Sequence, residues 1–240
     1  MRNTETSAAE EYARRILPQV GFLFCAAHAM IGSRERAEVL LGTALSDFFA
    51  ANDVFSARAS LRSGILHEMK SGAMDMLRSD NQTAESDFPG FVPRNLAQGE
   101  TVGPLVEHLS ALPASVQRMM ALKYGCQLNT HAIAALTQTA QEEVKTALGR
   151  ARRQLIRSQG LQKDNAASLE QQLTREIRQA MSRSGSERAD VSQILRTLEE
   201  DLASVRTSGH WVSRILRGVF MALLVCLLVA AAWILAVLIE

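Results

Sequence analysis

Cysteine is scarce in this chain. Cys25, Cys126 and Cys226 lie far apart, and no C-x-x-C pair joins any of them. That excludes a disulfide framework and a zinc site built on close cysteine pairs. The five histidines are scattered; Cys25 and His28 share a helix face at i, i+3, but two ligands do not make a metal site. There is no glycine-rich phosphate loop, no G-x-S-x-G and no H-E-x-x-H. Acidic residues do not cluster with a histidine or a nucleophile, so the chain is not read as an enzyme, and no cofactor or metal is implied. A charge excess is missing too: the formal net charge is +1, which excludes a simple polycation.

What is present is helical periodicity. From Glu10 to about Ile31, Ile16, Val20, Leu23, Phe24 and Ala27 recur at three and four, with Pro18 placed to start or kink the helix. Gly32-Ser33 breaks it. Ala37, Leu40, Leu41, Ala44, Leu45 and Phe48 then line a second helix, which Ser33 can cap. A turn at Asn52-Asp53 leads to a third stretch through Leu61, Ile65, Met69, Met74 and Leu77, weakened by Gly64 and Ser71-Gly72. Residues 79–104 hold three of the five prolines and a net charge of −3, from Arg94 against Asp80, Glu85, Asp87 and Glu100. This reads as a flexible linker. Phe88, Phe91 and Val92 offer side chains for docking, although a plain surface loop is the simpler reading.

The stretch Leu112 to Arg157 is the most informative. Pro113 suits a first helical position, and Gly125 is a natural stop. Thr130 can cap a helix carrying Ile133, Ala134 and Leu136, and Thr137-Gln138 leaves only a tight turn. Thr139 to Glu142 has the S/T-x-x-E form of a capping box. Val144, Leu148, Ala151 and Leu155 put one apolar face on the following helix, with Glu142, Thr146, Arg153 and Arg157 opposite. Between Leu105 and Gly160, seven basic side chains stand against three acidic ones, a net +4. Two short helices, a tight turn and a basic outer face suit a helix-turn-helix whose second helix enters a DNA major groove. A helical bundle with a solvated basic face has the same pattern.

This stretch resembles region 4 of bacterial RNA polymerase sigma factors of the extracytoplasmic-function type. Leu112-Pro113, Ile133-Ala134, Val144-Lys145, Leu148, Arg150-Ala151-Arg152 and Leu155 carry the likeness, and Gln138 stands where the family usually has glycine. The earlier helices resemble region 2 of the same type through Ala37, Glu38 and Leu40, then Gly64-Ile65-Leu66 and Asp75-Met76-Leu77-Arg78. Val39, Gly42 and Thr43 replace residues that the family uses against the polymerase clamp. Between Ala57 and Arg78 there is no Trp, Tyr or Phe, whereas capturing unstacked bases normally uses aromatic rings. The resemblance implies that Ala37, Glu38, Leu40, Leu41 and Leu45 bind RNA polymerase core. It implies promoter-DNA contacts from Gln141, Glu142, Lys145, Thr146, Arg150, Arg152 and Arg153.

Gly218 to Ile239 has no charged or amide side chain. At 1.5 Å per residue it would span about 33 Å, enough for a bilayer core. Arg206, Arg214 and Arg217 precede it, and Trp211 and Trp233 lie towards its ends. These features imply one transmembrane helix with the N-terminal domains cytoplasmic, and the sigma-factor resemblance implies that the membrane is a bacterial inner membrane. Ala222, Cys226 and Ala230 form a small-xxx-small stripe that permits helix pairing. Before the membrane run, Leu169, Leu173, Ile177 and Met181 make one helical stripe, Ser182 to Ser186 breaks it, and Val191 to Val205 forms a short heptad seam. That region is either a hairpin packing back on the domains or a stalk pairing with a second chain.

The expected architecture is all-α. Its parts are a sigma region 2-like domain over 10–78, a linker over 79–104, a helix-turn-helix domain over 105–160, a helical stalk or hairpin over 161–209 and a transmembrane segment over 211–239. The expected function is that of a membrane-tethered sigma-factor-like transcription regulator. Two alternatives stand beside it: a sigma mimic that sequesters an anti-sigma factor, and a membrane-bound helix-turn-helix regulator that acts without the polymerase. Homodimerisation through the stalk or the membrane helix is open. If proteolytic release is the switch, residues 1–209 expressed alone will drive more transcription than the full chain; equal reporter output would rule it out.

Overall fold

The computed structural model describes residue 12 and residues 14–51, 61–79, 86–88, 90, 108–158 and 166–188. All belong to a unit spanning Met1–Leu198; a second unit, Glu199–Glu240, contains no described residue. The proposed membrane segment and the Val191 to Val205 seam lie outside the described residues. Among the described residues, no single helix is long and apolar enough to cross a membrane.

Pro18 acts where expected. Leu17–Gln19 forms a 3-10 turn, and α1 runs from Val20–Ile31. All twelve residues of α1 are buried, so it has no solvent face and must be covered on every side. Gly32 ends it at φ 83, a left-handed position that favours glycine. α2 (Arg34–Ala51) packs against α1 and the following helix, and Ala37, Leu40, Leu41, Ala44 and Leu45 are buried. α3 (Leu61–Ser79) continues unbroken through Gly64 and Gly72. Both glycines give room for close contact. A Cβ at Gly64 would overlap the Phe48 ring, and one at Gly72 would press on Leu40 at 3.0 Å. The residues that weakened the helical reading are therefore the ones that seat α2 on α3.

The second half begins with α4 (Ala114–Met120), which widens into a π-helical turn at Ala121–Gly125. α5 (Thr130–Thr137) and α6 (Gln141–Ser158) follow. The last described helix, α7 (Ala166–Arg188), packs back along α1 and the π-turn. It runs through Ser182 to Ser186, where the sequence reading placed a break. Ser182 and Ser186 donate to the carbonyls of Arg178 and Ser182, four residues back, so these hydroxyls decorate the helix and do not end it. The two halves are also in contact: α1 touches α5 and the π-turn, and α3 touches α5.

Part of the linker is built into this body. Phe88 is buried, edge-on to His28 at 5.6 Å between ring centroids. Asp87 Oδ1 lies 2.7 Å from His28 Nε2, and its other oxygen accepts from the first backbone N–H of α2 at 3.4 Å. The plain-loop reading fails at these residues because a carboxylate at a helix N-terminus meets unpaired N–H groups and the positive end of the dipole.

Arg118 is buried at 9 % exposure and joins the halves. Its Nε donates to Ala29 O at 2.7 Å, and Nη2 donates to Met30 O at 3.0 Å and Leu136 O at 3.2 Å. These carbonyls belong to the last turns of α1 and α5, where no helical partner remains. Burial lowers the Arg118 pKa to about 10, with Asp87 opposing the shift, so the group stays charged at neutral pH. Arg118→Leu should cost about 3 kcal/mol, since it strands buried carbonyls without a donor. Urea denaturation monitored by far-UV circular dichroism measures this; a change within about 0.5 kcal/mol would mean the carbonyls are satisfied otherwise.

Candidate nucleic-acid interface

The α5–turn–α6 unit is set by local chemistry. Asn129, one residue before the Thr130 expected as the cap, accepts from the Ala132 N–H at 2.8 Å. This satisfies an orphan donor at the start of α5. At the other end Gln138 sits in the left-handed region, at φ 51 and ψ 37. Thr139 N–H closes back on Ala134 O at 3.1 Å, so the turn has the geometry a glycine would give. The Thr139 hydroxyl donates to Thr137 O at 3.1 Å and does not form the expected capping box with Glu142. α6 starts at Gln141, and its first-turn acids, Glu142 and Glu143, favour the helix dipole.

Val144, Ala151 and Leu155 are buried under α6, as their spacing requires. Gln141, Glu142, Lys145, Thr146, Arg150, Arg153 and Arg157 are exposed. Lys145 Nζ is 2.7 Å from Glu142 Oε1, an exposed pair worth only a few tenths of a kcal/mol. Such a pair gives way easily to a phosphate. Arg153 Nε donates to Gly149 O at 3.2 Å, which lays its side chain along the helix.

Arg152 is placed differently from the other candidates. Its Nη2 is 3.5 Å from Glu170 Oε1 on α7, while its buried Nε has no partner among the described residues. It therefore ties α6 to α7. Tyr124 lies within the field of this pair, and burial raises its pKa, helped by Glu170 and opposed by Arg152. Arg118, counted with the basic side chains of this region, is buried between the two halves. The usable positive face is thus smaller than the net charge suggests.

One position on the outer face was missed in the sequence. Gly149 lies in mid-helix, and a Cβ built there would meet nothing within 4 Å. The position itself is half-buried, and its carbonyl accepts from Arg153 Nε. A mid-helix glycine without a packing reason is the signal that could have found it.

The polymerase-facing candidates separate in the same way. Ala37, Leu40, Leu41 and Leu45 line the core, which corrects their placement on a docking surface. Glu38 is half-buried and pairs with Arg34 at 3.4 Å. The outer face of α2 instead presents Glu35, Val39, Thr43 and Asp47, with Val39 at 60 % exposure. Among the described residues, no group of three or more His, Cys, Asp or Glu side chains is placed to hold a metal.

No protein-family model and no curated protein matches the chain. Among solved structures, it is similar to the sigma factor RpoE in complex with the anti-sigma factor NepR from Bartonella quintana. The identity is 20 %, over 62 % of this chain and 96 % of that one, with a TM-score of 0.36.

Gly149→Ala should raise stability by about 1 kcal/mol, because it adds helix propensity without a clash. Thermal unfolding reads this; a lower midpoint would show that the glycine has a structural use.

Proposed function

We propose that the chain is a sigma-factor-like transcription regulator, tethered to a membrane by the Gly218 to Ile239 run, whose α6 contacts promoter DNA. The observation that carries this reading is the outer face of α6. It presents Thr146, Arg150 and Arg153, all exposed, on a helix held by a tight left-handed turn. Arg150 and Arg153 contact phosphates; Gln141, Glu142 and Thr146 meet base edges; Lys145 exchanges its Glu142 pair for a phosphate. Phosphate contacts set affinity and register, and base edges set sequence preference. RNA polymerase core would dock on the outer face of α2, at Glu35, Val39 and Thr43, which is the part of that helix left uncovered.

A second reading is favoured by one observation. The apolar residues expected to grip the polymerase are already used in the core. A module with little polymerase-binding surface can still bind an anti-sigma factor by protein–protein contact, and so act as a sigma mimic.

Affinity capture of the detergent-solubilised full chain separates the two: co-eluting polymerase subunits support the first, and a small anti-sigma protein without polymerase supports the second. For the DNA contacts, Arg150→Ala with Arg153→Ala should weaken retention on all sequences and flatten its salt dependence by about 2 in slope. Arg152→Ala should change retention far less, because its side chain is engaged with Glu170. Retention unchanged in the double variant at low salt would remove α6 as the DNA-facing helix.

A further inference from the structure

Glycine stands in this fold where the backbone requires it. Gly21 of α1 and Gly185 of α7 meet backbone to backbone, and a Cβ on either would overlap the other helix. Gly32 and Gly90 take left-handed conformations, at φ 83 and φ 81. Two further left-handed positions among the described residues carry glutamine: Gln127 at φ 58 and Gln138 at φ 51. A side chain there crowds the neighbouring carbonyl, a strain that glycine avoids. Each glutamine ends a helical segment. Leu128 N–H closes on Leu122 O at 3.0 Å after the π-turn, and Thr139 N–H closes on Ala134 O at 3.1 Å after α5. Glycine would make either cap with less strain.

Nothing inside the protein offsets this strain. Both glutamines are exposed, and neither side-chain amide hydrogen-bonds another described residue. Their surroundings differ. Gln127 precedes α5, whose eight residues put about 12 Å of helix between it and the turn. Gln138 leads directly into the start of α6. Between positions 138 and 143, the Thr139 hydroxyl is engaged with Thr137 O, the Ala140 side chain has no donor, and Glu142 and Glu143 are exposed carboxylates that oppose a phosphate. The side-chain donors left in that stretch are the amides of Gln138 and Gln141. Gln141 belongs to the helix that faces the base edges, so the turn has Gln138 for the sugar-phosphate backbone.

We infer that Gln138 donates its side-chain amide to a DNA phosphate at the edge of the groove that α6 enters, and that this contact is the use for which a strained glutamine stands in a glycine position. The inference rests on the reading of α6 as the DNA-facing helix. An amide is neutral, so the contact adds affinity and register for all sequences alike without displacing a counterion.

Thermal unfolding of the full chain in detergent, and its retention on immobilised random-sequence duplex DNA, test this. Gln138→Gly should raise the unfolding midpoint by about 2 °C as the strain is relieved. It should also weaken retention about 10-fold, with the salt slope of the parent. Gln138→Ala removes the amide but keeps a Cβ in the left-handed position, so retention should fall as far without the gain in midpoint. Gln127→Gly relieves the same strain away from α6; its midpoint should rise and its retention should hold. Retention unchanged in Gln138→Gly, while the Arg150→Ala, Arg153→Ala double variant is weakened, would overturn the contact and leave the DNA reading standing. An equal loss in Gln127→Gly would also overturn it, as would a flattened salt slope in either Gln138 variant, which would mean that α6 itself had shifted. A midpoint that fails to rise in Gln138→Gly would remove the strain on which the inference stands. If the parent is not retained at all, the DNA reading falls and the contact falls with it.

Discussion

One guanidinium serves two helix ends. The last-turn carbonyls of α1 and α5 are negative dipole ends without helical partners, and Arg118 reaches both. A neutral side-chain amide has two N–H donors and would satisfy at most two such groups; the branched, charged head satisfies three. The cost is a desolvated charge, visible in its lowered pKa. What the interaction secures is orientation. α5 is the first helix of the helix-turn-helix unit, so fixing its C-terminus to that of α1 fixes the turn at Gln138 and the direction in which α6 leaves. α6 is thus positioned from the opposite half of the sequence.

The same economy governs the rest of the packing. α1 has no polar face, so its neighbours must approach from all sides. Space for this comes from small residues: Ala26, Ala27 and Ala29 within α1, and Gly21 where α7 crosses it. On α3, glycine serves a different partner, the Phe48 ring and the Leu40 methyl group of α2. On α6, a Cβ added at the glycine would meet nothing within 4 Å, so there the same residue type has no packing role. Electrostatics add direction more than strength, since the pairs Arg34–Glu38, Asp75–Arg78 and Glu142–Lys145 are local and solvated.

Period and punctuation made most helices legible. Ile65 and Met69, or Val144, Ala151 and Leu155, can be assigned to a buried face from spacing alone, and Gly32 and Pro18 act where a chain breaker and a first-turn proline should. The candidate site was legible only in outline. Spacing says which side of α6 faces outward, but it does not say that Arg152 turns to Glu170 or that Arg118 turns inward to carbonyls. A basic side chain reads the same in a sequence whether its partner is a phosphate, a carboxylate or a helix end. The apolar phrase of α2 had the opposite fault: Leu40 and Leu41 fit a docking surface and a core equally well, and the burial of α1 decided between them. Ser182 to Ser186 looked like a break because serine and glycine are poor helix formers; tertiary contact at Gly21 outweighed that preference. Asp87 and Phe88 lay in a stretch whose composition suggests a loop, and their capture by His28 and by the N–H at the start of α2 is a tertiary contact that composition does not reveal.

The meeting of Gly21 and Gly185 also constrains how this sequence can drift. Neither position accepts a methyl group while the helices are seated, so a change at one gains nothing from a compensating change at the other. A descendant that discards α7 loses this restriction at once, and position 21 becomes free to take alanine or serine, which suit a helix better. The residue at position 21 is therefore a record, readable without any structure, of whether the groove beneath it is still filled.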